Sequence, residues 1–171
     1  MLYTDNLEKL IFHRHELLRA DELIIVSGYV GPGPIHHLHQ LPLHSRIVYG
    51  MYGVEGVRRP LHNSLTRLQN TIKNIDIFYS NLPVHSKCYV WLNKGQIVYA
   101  LVGSANFSSK GLTTPFREIL AETTHDAFPP LNDYITRILN NSISCLEADA
   151  AQVVQHLPTA EAVCSLSLLG R

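Results

Sequence analysis

The sequence predicts an α/β domain in which a mixed, mostly parallel β-sheet is flanked by helices. Over the first 80 residues, short apolar runs rich in β-branched residues alternate with amphipathic segments, and strands that alternate with helices favour parallel pairing. Two later strand-like runs are separated by a four-residue turn, which predicts an antiparallel hairpin. The chain has 171 residues, 46% of them hydrophobic, so we expect one domain with a sizeable core spanning residues 1–171.

The N-terminal half repeats a helix pattern and a strand pattern. Leu7 to Ala20 carries leucine and isoleucine at helical spacing. Glu22 to Val30 is an apolar run closed by Gly31-Pro32-Gly33, as expected of a buried strand that ends in a loop. The later elements of this half follow the same two patterns: a short helix at Pro34–Gln40, a strand at Arg46–Tyr52, a helix at Pro60–Lys73 and a strand at Ile75–Tyr79.

The C-terminal half begins with the hairpin. Its strands are predicted at Val84–Leu92 and Ile97–Gly103, joined by a turn that contains Lys94-Gly95. We expect a further strand at Arg117–Thr123 and a helix at Leu131–Asn140. From Glu147 onward the helical patterning is weak, and the apolar stretch Leu166–Leu169 is too short to span a membrane.

Composition excludes several classes of protein. Lys plus Arg equals Asp plus Glu, 14 each, so global charge gives no support to nucleic-acid binding, although a local basic patch is compatible with it. The chain has three cysteines, an odd number, at Cys88, Cys145 and Cys164, and no C-x-x-C motif. This argues against a disulfide framework and a thiolate zinc site. Because the sequence also shows no signal peptide and no membrane span, it predicts a soluble cytoplasmic protein.

Four polar residues are predicted to gather at one end of the hairpin. His85 and Lys87 lie two apart on the first strand and therefore share a face. Pairing Asn93 with Gln96 across the turn places Lys87 near Val102 and His85 near Ser104, a register that a bulge would shift by one residue. Asn106 follows just beyond the second strand.

These residue types suit a phosphodiester substrate. A histidine near neutral pH can attack phosphorus or protonate a leaving oxygen. A lysine, a side-chain amide and a serine hydroxyl can all donate to the non-bridging phosphate oxygens. The alternative is an ordinary hairpin with exposed His85 and Lys87, but Gly103-Ser104-Ala105-Asn106 directly after the second strand favours the phosphodiester site.

His85-Ser86-Lys87 followed by Gly103-Ser104-Ala105-Asn106 resembles the signature of the phospholipase D (PLD) superfamily. The aspartate that usually follows H-x-K is missing from Tyr89 to Leu92, which narrows the resemblance toward the nuclease branches. The resemblance also implies a downstream acid that orients the histidine; Glu118 fits best and Glu122 is next. Leu23 to Val30 resembles the first strand of the PLD domains of NgoFVII-type and BfiI-like restriction endonucleases.

What the resemblance implies is a metal-independent DNA endonuclease that acts through a phosphohistidine, without a cofactor, as the catalytic domain of a type II-like restriction endonuclease. The superfamily site needs two histidines, and only one H-x-K is present, so we expect a homodimer with the site at the subunit interface. In the restriction enzymes a separate domain recognises DNA. The alternatives are a lipid-directed phosphodiesterase or phosphatidyl transferase, and a non-catalytic phosphate-binding dimerisation module.

Three other sets of residues can be interpreted either as functional or as ordinary surface or core residues. His36, His37, His39 and His44 are dense enough to suggest a metal, but no adjacent Cys or acid completes a ligand set, which favours a polar surface. Arg58-Arg59 follows a glycine-containing loop and is either a contact for a nucleic-acid backbone or a solvated charge pair. Tyr89 and Trp91 could stack on bases, but core packing is the favoured interpretation.

Overall fold

The computed structural model describes residues 1–154, and its centre is an eight-stranded sheet with strand order β1-β8-β7-β6-β2-β3-β5-β9. The predicted tail at Leu166–Leu169, and Cys164, lie outside the described residues. The strands of this sheet are β1 (Leu2–Tyr3), β2 (Glu22–Ser27), β3 (His44–Tyr49), β5 (Ile75–Ser80), β6 (Lys87–Asn93), β7 (Gln96–Gly103), β8 (Leu120–Glu122) and β9 (Ser142–Ser144). A separate parallel pair is formed by β4 (Val57–Arg58) and β10 (Val153–Val154).

Helices cover both faces of the sheet. They are α1 (Leu7–Leu18), α2 (Pro32–His37), α3 (Tyr52–Glu55), α4 (Arg59–Thr71), α5 (Ser109–Thr113) and α6 (Phe128–Asn140). Short 3₁₀ turns occur at Leu38–Gln40, His125–Ala127, Cys145–Glu147 and Ala150–Gln152. Helix α6 begins three residues earlier than its apolar spacing predicts, since Pro129 and Pro130 are tolerated in the first helical turn. Within residues 1–154, no helix combines the length and the apolar character needed to cross a bilayer.

The predicted mixed α/β class is confirmed. Parallel pairing joins β2, β3 and β5, which are the strands that alternate with helices along the chain. Strand β6 joins the other side of β2 in antiparallel orientation, with Ser27 opposite Lys87. The carboxyl ends of β2 and β3 and the amino end of β6 therefore meet at one edge of the sheet.

Two apolar layers sandwich the sheet. On one face Leu23, Ile25 and Trp91 pack with residues of α1, including Ile11. On the other face Ile24, Val26 and Val90 pack with Ile135 and Ile138 of α6. Successive residues of β2 thus enter opposite cores, as strand geometry requires. Tyr89 and Trp91 are fully buried, which confirms their expected role in core packing.

The hairpin forms at the predicted turn, but its predicted register is wrong by one residue. Asn93 pairs with Gln96 and Leu92 with Ile97 as expected, whereas Trp91 then pairs with Tyr99, so that Val98 is an extra residue. Such a bulge places two residues of one strand opposite one of its partner. Cys88 consequently lies opposite Val102, Lys87 is level with Gly103, and His85 precedes the strand.

Candidate active site

His85 lies in the segment that leads into β6 at the sheet edge where β2 and β3 end. The segment is held by a hydrogen bond from the Val84 amide to the Gly50 carbonyl, at 3.1 Å. Gly50 is required there, because a Cβ on this residue would lie 2.1 Å from the Val84 carbonyl oxygen. The His85 side chain is exposed, whereas Lys87, the first residue of β6, is only 6% exposed.

Lys87 contacts His85 directly. Its Nζ donates to the His85 carbonyl oxygen at 2.6 Å and lies 3.1 Å from Nδ1 and 3.3 Å from Nε2 of the imidazole. The lone pairs of the two ring nitrogens point in divergent directions, so the ammonium can donate to at most one of them. Burial lowers the pKa of the Lys87 ammonium, and the Glu118 carboxylate acts in the opposite direction. Glu118 thereby helps to keep Lys87 charged.

Asn106 is held in one orientation by Ser27, at the end of β2, and by Tyr29, two residues beyond it. Its Oδ1 accepts from the Tyr29 amide at 3.1 Å and lies 3.3 Å from the Ser27 hydroxyl. A backbone N–H can only donate, so the side-chain oxygen must face Tyr29 and the Asn106 amide nitrogen faces away. Within residues 1–154, the Nδ2 hydrogens form no hydrogen bond, whereas Oδ1 accepts from Tyr29.

Ser27 is a positioning residue that the sequence argument missed. It is fully buried at the end of β2, where its hydroxyl donates to the Tyr29 carbonyl at 2.6 Å and accepts from the Phe107 amide at 3.0 Å. These bonds tie the loop that carries Asn106 to the end of β2. A serine at the end of an otherwise apolar buried run was the available signal, since a buried hydroxyl must find partners.

Gly28 and Tyr29 complete the surroundings of His85. A Cβ on Gly28 would lie 2.9 Å from Cδ2 of His85, so the imidazole occupies the space that a side chain would take. The ring of Tyr29 stands edge-on to that of His85, with centroids 5.9 Å apart. Tyr29 therefore contacts His85 through its ring and Asn106 through its backbone.

Ser104 follows β7 directly and Glu118 precedes β8, the strand that pairs with β7. Ser104 is exposed, donates its amide to the Ile119 carbonyl at 2.9 Å, and accepts from the Ile119 amide through its hydroxyl oxygen at 3.0 Å. Ser104 thus anchors the segment that contains Glu118. The Glu118 side chain is 16% exposed and accepts from Arg117 Nε at 3.4 Å. Among residues 1–154 it makes no hydrogen bond to His85.

Glu122, the second acidic candidate, lies in β8. Its carboxylate is 3.8 Å from the N-terminal amine of Met1, and in the sheet Glu122 lies opposite Leu101 of β7. The contacts of Glu122 are thus with the N-terminus and the sheet edge. Of the two acids, Glu118 is the one that influences Lys87.

The histidines at positions 36, 37, 39 and 44 contact different partners instead of one another's ring nitrogens. His44 contacts Asp76 at 2.8 Å, His37 lies 3.7 Å from Glu8, and His39 Nδ1 approaches the His36 carbonyl oxygen. Nowhere in the part of the chain described by the structure do three or more His, Cys, Asp or Glu side chains come together in an arrangement that could hold a metal ion. These histidines therefore form a polar surface that spans α2, the 3₁₀ turn at Leu38–Gln40 and the start of β3.

The family model of the NgoFVII restriction endonuclease N-terminal PLD domain matches residues 5–152. The chain belongs to this family. The match begins after β1 and includes the whole of β2, the hairpin, the Asn106 loop and α6. No curated protein matches the chain.

Solved structures share the fold of this PLD domain at low sequence identity. NucT from Helicobacter pylori has a TM-score of 0.57 at 14% identity, covering 84% of this chain and 97% of that one. Nuc from Salmonella typhimurium, a phospholipase D family member, has a TM-score of 0.52 at 16% identity, with coverage of 77% and 89%. Phosphatidylserine synthase from Haemophilus influenzae has a TM-score of 0.51 at 13% identity, with coverage of 87% and 38%. These similarities establish the fold.

The geometry of Asn106 in this PLD domain gives a testable expectation. Asn106→Asp retains an oxygen that accepts from the Tyr29 amide but replaces the Nδ2 donor with negative charge. We expect phosphodiester cleavage to fall about a hundredfold or more, with little change in melting temperature. Asn106→Ala should lose similar activity and also about 1 kcal/mol of stability, because the Tyr29 amide loses its acceptor.

The measurements are kcat/KM and thermal melting of each variant. Asn132→Asp, an exposed asparagine in α6, is the matched control and should behave as wild type. Wild-type activity in Asn106→Asp would contradict a donor role for this side chain.

Proposed function

We propose that this chain is a metal-independent DNA endonuclease, the catalytic domain of a type II-like restriction endonuclease. The observation that carries the proposal is an exposed histidine, His85, in direct contact with Lys87 Nζ. Asn106 is held by Tyr29, whose ring contacts His85, so that its Nδ2 donor faces away from Tyr29. This is the arrangement needed to attack phosphorus and to stabilise charge on the non-bridging oxygens. Membership of the NgoFVII restriction endonuclease family supports DNA as the substrate.

The reaction proceeds in two displacements. One nitrogen of His85 attacks phosphorus and forms a P–N bond, while the bond from phosphorus to the deoxyribose oxygen breaks. A second histidine gives its proton to that oxygen. Water, deprotonated by the same second histidine, then attacks the phosphohistidine, breaks the P–N bond and releases a terminal phosphate with the His85 imidazole restored.

Each neighbouring side chain has a role in this proposal. Lys87 and Asn106 donate to the two non-bridging oxygens, and the hydroxyl hydrogen of Ser104 is a further donor. We assign Glu118 as the acid that supports the site, because its carboxylate favours the charged form of Lys87. The orienting contact between an acid and His85 that the family resemblance implies remains part of the proposal.

The second histidine comes from a second copy of the chain. The sequence contains one H-x-K motif, so the partner subunit's His85 is the proton donor. A two-fold axis through the site would place two lysines and two asparagines around one phosphate. Recognition of a specific DNA sequence is assigned to a separate domain or partner.

Cleavage in the presence of chelator tests the proposal. We expect supercoiled plasmid DNA to be nicked at an unchanged rate in excess EDTA, because the site offers one carboxylate and two-metal nucleases use several. A magnesium-dependent nuclease assayed in parallel should be fully inhibited.

A strict magnesium requirement would contradict the proposed mechanism. Hydrolysis of phosphatidyl substrates without DNA cleavage would instead favour the lipid-directed alternative. DNA binding without hydrolysis of any phosphodiester would favour the non-catalytic module.

A further inference from the structure

A cleft of about 170 Å³ is lined in part by Tyr29, whose ring also contacts that of His85. Its walls include Tyr49, Glu55, Arg58 and Leu61. The volume suits a single ring, since a cavity of about 150 Å³ is enough to bind benzene. The cleft is separate from the His85–Lys87–Asn106 group but shares Tyr29 with it.

The topology explains why the cleft adjoins the candidate active site. Strands β2 and β3 are parallel, and their pairing continues beyond the strand ends, where the Gly50 amide donates to the Ser27 carbonyl at 2.8 Å and the Met51 amide to the Gly28 carbonyl at 3.2 Å. The loop after β3 therefore runs alongside Gly28 and Tyr29. In open α/β sheets, ligands bind at the carboxyl ends of the strands, and both sites lie there.

The polar groups of the cleft are an acceptor and a cation. Tyr29 Oη donates to Glu55 Oε1, which leaves the second carboxylate oxygen as an acceptor. Arg58 is exposed and forms no ion pair within residues 1–154. Burial, followed by the hydrogen bond to Glu55 and the charge of Glu55, raises the pKa of the Tyr29 phenol to about 12, while the charge of Arg58 acts in the opposite direction. Arg58 thus lines the cleft, and its charge influences the Tyr29 phenol there.

We propose that this cleft binds the nucleotide adjacent to the scissile phosphate, with the base between the tyrosines and the aliphatic wall and Arg58 on the neighbouring phosphate. The inference rests on the proposed nuclease function. The Tyr29 ring, which forms one wall of the cleft, lies 5.9 Å from the His85 ring between centroids. A nucleotide next to the phosphate that His85 contacts therefore lies beside this wall. Stacking on aromatic rings and a cation on phosphate are the two common contacts to single strands.

Glu55 gives the cleft a base preference. A carboxylate accepts hydrogen bonds from the exocyclic amino groups of cytosine and adenine, whereas thymine offers O4, a second acceptor, at the equivalent position. The cleft is therefore selective for a base that carries an amino group. Glu55→Gln keeps an oxygen for Tyr29 Oη and adds an amide donor, which should shift the preference toward thymine.

Arg58 and Arg59 provide a matched pair for the experiment. Both are exposed and adjacent, but only Arg58 lines the cleft. We expect Arg58→Ala to raise KM for DNA about tenfold and to reduce the log–log salt slope of DNA binding by about one. Hydrolysis of bis(p-nitrophenyl) phosphate, which has no flanking nucleotide, should be unchanged. Arg59→Ala removes the same charge and should match wild type with both substrates.

Sequencing the ends of cleaved plasmid DNA tests the role of Glu55. Wild type should disfavour thymine at one position next to the cut, and Glu55→Gln should lose or reverse that bias. An unchanged bias would overturn the assignment of Glu55.

The outcomes separate this inference from the proposed function. If both substrates are hydrolysed and the two arginine variants have equal KM values for DNA, the nucleotide-binding role of the cleft is overturned. The proposed nuclease function would still stand. If neither substrate is hydrolysed, the nuclease proposal fails, and the affinity of a labelled oligonucleotide for the two variants still decides the cleft: equal affinities would overturn it.

Discussion

The His85→Ala variant is expected to lose DNA cleavage by more than about a thousandfold while melting at nearly the wild-type temperature. Removal of a nucleophile that forms a covalent intermediate eliminates the reaction path, and losses of this size or larger are typical. Stability should change little, because the His85 side chain is exposed and lies outside both apolar clusters. The measurements are single-turnover plasmid nicking and thermal melting.

A second histidine provides the control. His13 is exposed on α1 and contacts Glu16 at 3.2 Å, so His13→Ala makes the same chemical change away from the site and should retain full activity. His85→Gln, which keeps polar atoms beside Lys87 but cannot form a phosphohistidine, guards against a folding defect in the alanine variant. Activity above a few per cent of wild type in either His85 variant would remove this residue from the mechanism.

A dimer that combines one wild-type subunit with one His85→Ala subunit is expected to be inactive. If two copies of His85 serve one phosphate, either subunit alone supplies half of the required pair. Independent sites would instead leave about half of the activity. Co-expression of the two forms with different tags allows the mixed dimer to be purified, and sedimentation verifies its size.

The same arrangement predicts the behaviour of unpurified mixtures. When equal amounts of wild-type and His85→Ala chains assort at random, about one quarter of the dimers are fully wild type, so a shared site retains about a quarter of the activity. The homogeneous protein should sediment as a dimer with an interface above about 1,000 Å². An active monomer, or a mixed dimer with half activity, would contradict the shared site.

A single shared site has a consequence for double-strand breaks. One site cuts one phosphodiester bond at a time, so nicked plasmid should accumulate before linear DNA forms. The ratio of the two products over time follows directly from the plasmid assay.

Local sequence patterns predicted much of the fold. The alternation of strand and helix patterns is enough to infer the parallel β2–β3–β5 unit, and the Lys94-Gly95 turn is enough to infer the hairpin. Both depend on periodicity and turn chemistry, which act between residues close in the chain. The grouping of His85, Lys87 and Asn106 followed from the same reasoning, although the roles of these residues stay predictions.

Two features of the site were decided by tertiary structure. The bulge at Val98 moves Lys87 level with Gly103, and a bulge depends on how a whole strand pair twists rather than on one residue. The bond network of Ser27, Tyr29 and Asn106 joins residues nearly 80 positions apart. It forms because β6 inserts beside β2, a strand order that local patterns do not encode.

For the cleft at Arg58, too, the sequence determined one part and the tertiary structure decided the other. The sequence by itself determined that two arginines follow a glycine-containing loop, but it left open whether they contact a ligand or only solvent. The parallel pairing of β2 with β3 brings that loop beside Tyr29, and it places Arg58 but not Arg59 on the cleft wall. Side-chain chemistry is a property of the residue, whereas the neighbours on which its function depends are set by contacts between distant parts of the chain.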